Sequence, residues 1–162
     1  MIVNIFFTFI LAYILFIISK EDIETMLISE NKLIYFSSSG ILYLLLPTKK
    51  INSIELIINN LSSVLIIFLI MYSIKYISYK FIKINSLGMG DIKLSSLSSI
   101  WLGIELSSIS ICISFILSAF YSLHGIITKR FKKFHQYPFA PFLSIGILFS
   151  WILDKIYSFQ YL

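Results

Sequence analysis

The sequence predicts an all-α, polytopic membrane protein with six transmembrane helices. Mean hydropathy is +0.92 and charged residues make up only 13% of the chain, about half the share of an ordinary globular domain. Several continuous apolar runs reach or approach the roughly 20 residues a helix needs to cross a bilayer. No alternating ten-residue segments of the transmembrane β-barrel kind interrupt them. The 162 residues fit one membrane-embedded domain, 1–162.

The first span, 2–19, has no basic residue ahead of it and no small-x-small site behind it, so it reads as a retained helix rather than a cleaved signal. The second, 33–46, is short, and the third, 56–79, is a long run rich in Ile and Leu. The fourth, 91–103, opens on an aspartate. At 1.5 Å per residue it covers only about 20 Å, so it begins below the membrane surface. The fifth is 106–127, and the sixth, 142–157, follows Pro138 and Pro141. Proline's missing N–H costs nothing where a helix starts.

Net charge is +5, and its placement decides its meaning. With the N-terminus outside, the cytoplasmic side holds Lys20, Lys32, Lys75, Lys80, Lys83, Lys93, Lys129, Arg130, Lys132 and Lys133, against Lys49, Lys50 and Lys155 outside. That imbalance satisfies the positive-inside rule. The run "KRFKKFH" is then a headgroup anchor, and no nucleic-acid partner is expected. The single cysteine, Cys112, excludes an intrachain disulfide and reads as a small packing residue inside the fifth span. His124 and His135 are too few and too separated for a metal site. Neither metal nor cofactor is expected, and the oligomeric state is open.

The stretch "LGMGDIKL" at 87–94 sets an acid in this apolar chain. An intramembrane carboxylate is costly enough to be a functional hypothesis by default. Gly88 and Gly90 permit φ > 0 or close approach of another segment. Asp91, Ser95, Ser99 and Gly103 recur every four residues, a small-residue stripe that turns Asp91 toward the bundle interior. A capping aspartate above a helix interface explains the same spacing equally well. Metal-free peptide hydrolysis needs a second carboxyl group, one ionised to activate water and one protonated to donate. Glu21, Asp22, Glu24 and Glu30 are all placed to supply it, and physical argument does not choose among them.

Three segments together resemble the type IV prepilin peptidases, membrane aspartyl proteases of the GxGD class. They are "GMGDIKL" with the later "WLG", "DIETMLIS" at 22–29, and "YPFAPFLSIG" at 137–146. The resemblance implies that Asp22 and Asp91 are the catalytic pair, with Gly88, Gly90, Lys93, Pro138 and Pro141 in support, and that Glu21 and Glu24 are bystanders. It implies removal of the leader from prepilins or pseudopilins at the cytoplasmic face of the inner membrane. Two departures stand out: Ser29 where the family has proline after Ile28, and Ala140 where it has glycine between two prolines. Both are expected to lie outside the chemistry proper. The cysteine-bearing insertion that larger relatives associate with N-methylation has no counterpart in this short form. The rival readings are a catalytically silent scaffold of pilus or secretion machinery and a small proton-coupled transporter using Asp91. A presenilin-like protease is disfavoured, since its tyrosine-aspartate pair and its PAL motif are missing.

Overall fold

The computed structural model describes residues 2–46, 53–83, 87–130 and 136–160. Lys49, Lys50, Lys132, Lys133 and His135 of the charge argument lie outside the described residues. Among the described residues there are five helical elements: α1 (Ile2–Thr25), α2 (Glu30–Leu45), α3 (Ser53–Ile82), α4 (Met89–Ile127) and α5 (Ala140–Gln160).

The expected fourth and fifth spans are the two arms of α4, separated by a break at Gly103. Gly103 has φ 74° and ψ −179°, a backbone conformation that residues with a Cβ rarely adopt. Ser99 and Ser107 bond hydroxyl to hydroxyl at 3.1 Å across the break. Eight residues of straight helix would hold them about 12 Å apart, so the two arms of α4 fold back on one another at Gly103. The break frees carbonyls, and side chains take them up. Asn60 of α3 donates its amide to Ile100 O at 3.0 Å, and the Ser107 hydroxyl donates to Gly103 O at 2.6 Å.

Among the described residues three helices are long and apolar enough to cross a membrane: Val3–Thr25, Glu55–Phe81 and Met89–Ile127. The sequence reading counted six spans, which the structure supports only in this coarser form. α2, with 16 residues, reaches about 24 Å, less than the roughly 30 Å of hydrocarbon.

The core joins Leu11, Leu15 and Ile18 of α1 to Phe36, Met71, Ile92, Leu143 and Trp151 from the other helices. Phe6, Phe9, Tyr13 and Phe16 point outward from α1, as expected where the surrounding medium is itself apolar. Far from Asp22, Tyr43 stacks on Trp101, Trp151 meets both edge-on, and Lys155 lies over the Trp151 ring at 3.9 Å. Cys112 is exposed on α4, which corrects the packing role expected of it: its helical position faces out of the bundle.

Three helices stop by the same device at the opposite end. Met26, Lys83 and Lys129 follow α1, α3 and α4 with φ of 56°, 56° and 57°. This left-handed turn is the usual way a helix closes, here taken by residues with side chains, at a cost of roughly 1–2 kcal/mol each.

Candidate active site

Helix ends from α1, α4 and α5 meet at one place. Asp22 lies in the last turn of α1 and is 4% exposed. Its Oδ2 accepts a hydrogen bond from the Ala140 N–H at 2.9 Å. Ala140 is the first residue of α5, where backbone donors have no partner within the helix. Phe142 and Leu143 turn their N–H groups to Phe139 O, at 3.1 and 3.2 Å, and Pro141 has none to offer. The Ala140 and Phe139 N–H groups are therefore left for a carboxylate, and both donate to Asp22; the positive end of the α5 dipole favours negative charge there.

Asp91 is the third residue of α4 and is 8% exposed. Its carboxyl group turns back over Gly88 and accepts that residue's N–H, one half of a capping box. A Cβ on Gly88 would lie 3.0 Å from Asp91 Oδ2. The other oxygen, Oδ1, is buried without a hydrogen-bond partner among the described residues. Leaving such an atom unpaired costs on the order of 1–3 kcal/mol, more than a cap alone requires. The Asp22 and Asp91 carboxyl groups are within electrostatic reach of each other.

Of the two uses foreseen for the glycines, close approach is the one found. Gly88 has φ −67°, and Gly103 is the glycine with positive φ among the described residues. A Cβ on Gly90 would meet Ile28 Cβ at 3.0 Å and its Cγ1 and Cδ1 at 3.2 Å. Ile28 thus rests directly on the α4 backbone, one residue before Asp91. Ser95 and Ser99 are fully buried, so the small-residue stripe does turn inward.

Lys93 ion-pairs with Glu30 at the start of α2. Two positions along a helix do not share a face, so its ammonium serves the α2 contact rather than Asp91. The hydrogen bond and charge of Lys93 hold the exposed Glu30 carboxyl below its usual range. Pro138 lies in the segment before α5, and Pro141 in its first turn. Glu24 faces solvent beside Lys20. Among the described residues no three His, Cys, Asp or Glu side chains cluster as a metal site would require.

Two residues were underrated by the sequence. Ala140 was expected outside the chemistry, yet its N–H holds Asp22. A backbone donor leaves no mark on the identity of its residue, so no sequence signal pointed to it. Glu21 was ranked a bystander, yet its Oε2 accepts both the Ser29 N–H at 3.0 Å and the Ser29 hydroxyl at 3.1 Å, with Lys32 at 3.3 Å. The available signal was the departure at Ser29 itself.

The arrangement defines a class: a helical membrane protein with two buried carboxyl groups opposed at helix ends. The type IV leader peptidase family matches residues 9–123, and the chain belongs to that family. A curated relative, the prepilin leader peptidase/N-methyltransferase of Bacillus subtilis (strain 168), is 28% identical over 147 residues, covering 90% of this chain and 55% of the relative. The chain spans about half the length of that relative. No solved structure matches it.

Proposed function

We propose that this chain is a membrane aspartyl endopeptidase that removes the leader from type IV prepilins or pseudopilins. The observation that carries this reading is the pairing of Asp22 and Asp91, buried at 4% and 8% exposure and close enough for their like charges to interact. Two such carboxyl groups cannot both ionise cheaply, so one proton is shared between them. The ionised member takes a proton from water as the hydroxyl attacks the scissile carbonyl carbon. The protonated member gives its proton to the carbonyl oxygen. Collapse of the tetrahedral species breaks the C–N bond, and the proton taken from water passes to the leaving amine. A silent scaffold would need neither acid buried, and nothing favours it here.

The orientation belongs to the same proposal: six spans, N-terminus outside, and the aspartates near the cytoplasmic face of the inner membrane. The reversal at Gly103 supports counting the arms of α4 separately. Lys20, Lys32 and Lys93 lie at the same end as Asp22 and Asp91, on the helix ends and loop that meet there. Co-expression with a prepilin encoded in the same genome tests the reading. Removal of the leader gives a gel mobility shift when the chain is present, and an unshifted prepilin would overturn it.

A further inference from the structure

We infer that Glu21 is a positioning residue: by clasping Ser29 it seats Ile28 on Gly90 and thereby sets how far Asp22 stands from Asp91. The inference rests on the peptidase reading and adds to it a residue that never touches substrate.

The segment that leaves α1 must return to α2 within a few residues, and it carries Ile28 to the α4 backbone on the way. Met26, with φ 56°, turns the chain out of α1. Ser29, with φ −68° and ψ 140°, is the N-cap of α2, but its hydroxyl makes no cap bond. Instead its N–H and its hydroxyl both donate to Glu21 Oε2, and Lys32 from the first turn of α2 closes on the same oxygen. Three donors on one carboxylate oxygen tie the end of α1 to the start of α2. Ile28 lies inside the loop so closed, and so near Gly90 that a Cβ added there would meet it at 3.0–3.2 Å. The neighbours in sequence of the two clasp points are Asp22 and Ile28. The neighbour of Gly90 is Asp91. The clasped loop therefore links one carboxyl group to the other through the Ile28 contact on Gly90, with the Lys93–Glu30 ion pair beside it.

The value of φ at Ser29 explains why a carboxylate is needed. An angle of −68° is the one a proline ring would fix covalently, at about −65°. Serine leaves that torsion free, and hydrogen bonds to Glu21 restrain it instead. Proline at position 29 would abolish both bonds, having neither N–H nor hydroxyl, while supplying the restraint itself. The two devices are alternatives, so Glu21 should matter beside the native serine and become dispensable once Ser29→Pro is made.

The test is a double-mutant cycle on the full chain in detergent or membranes, measuring kcat and KM for cleavage of the prepilin. Glu21→Ala is expected to lower kcat about 10- to 100-fold, the usual penalty for a misplacement near 1 Å, with KM nearly unchanged because no substrate contact is lost. Glu21→Gln, which keeps an acceptor oxygen for Ser29, should retain most of the rate. Ser29→Pro should cleave like wild type, and adding Glu21→Ala to it should change the rate by less than about threefold. Equal loss in the wild-type and Ser29→Pro backgrounds, or no loss in either, would overturn the inference. So would failure of Glu21→Ala to accumulate in both backgrounds, since Glu21 would then act on folding alone. If Glu21→Ala accumulates only in the Ser29→Pro background, the rescue itself supports the inference. Failure of the peptidase reading looks different: wild type would then cleave nothing, or Asp91→Asn would cleave as well as wild type.

Discussion

Gly90→Ala is the substitution that most directly strains the link between the two aspartates. The new methyl would sit 3.0 Å from Ile28 Cβ and 3.2 Å from Cγ1 and Cδ1, where carbon atoms pack best at about 3.5–4.0 Å. Ile28 must retreat by roughly 0.3–1 Å to restore that spacing, and the Glu21 clasp on Ser29 resists that retreat. Overpacking of this kind costs about 1–3 kcal/mol. Alanine's better helix propensity returns up to about 1 kcal/mol, so global stability changes little. Catalysis is more sensitive, because a displacement near 1 Å costs on the order of 100-fold in rate. The expected result is a protein that accumulates normally and cleaves prepilin about 10- to 100-fold more slowly. Ile28→Ala, which removes two of the three close contacts, should restore much of that rate in the double variant. Cleavage by Gly90→Ala at the wild-type rate would refute the reasoning. Loss that Ile28→Ala does not relieve would place the role of Gly90 elsewhere than in this contact.

Ala140→Pro deletes one of the two N–H groups that bind Asp22, leaving that of Phe139, while keeping a residue suited to the first position of a helix. A hydrogen bond to a charged group is worth about 1.5–3 kcal/mol, so cleavage should fall about 10- to 100-fold, whereas Ala140→Gly, which keeps the donor, should remain active. In a Cys112→Ser background, a cysteine at Glu24 should resist an impermeant thiol reagent in intact cells and one at Glu105 should react; the reverse pattern would invert the orientation. Pilin matured by the 162-residue chain alone should carry no added methyl group, since the connections at 20–32, 80–90 and 128–140 fall below the roughly 40 residues that fold independently. Mass spectrometry of the mature N-terminus decides it.

Hydropathy made most of the fold legible, because continuous apolar runs in lipid have few alternatives to helix. The border drawn near Gly103 was legible too, but the reversal there was not: nothing local distinguishes a glycine that tolerates a helix from one that breaks it, and Asn60, which donates to the freed carbonyl of Ile100, is 40 positions from that residue. Asp91 announced itself through its cost in an apolar segment. Asp22 did not, since other acids stood near it and only the resemblance singled it out. What orders those acids is tertiary: the Ala140 N–H reaches Asp22 across 118 positions, while Glu21 turns aside to Ser29. Lys93 stands two positions from Asp91 in sequence, and only the tertiary structure shows its ammonium paired with Glu30 of α2.

The central claim is that Asp22 and Asp91 act as one catalytic pair, and the most direct measurement is leader cleavage by Asp22→Asn and Asp91→Asn, each compared with wild type at equal membrane abundance. Asparagine keeps the shape of the carboxyl group but neither takes up nor releases the proton the reaction moves. Both variants are predicted to leave the prepilin full-length while accumulating like wild type. Cleavage at the wild-type rate by either one would contradict the pairing.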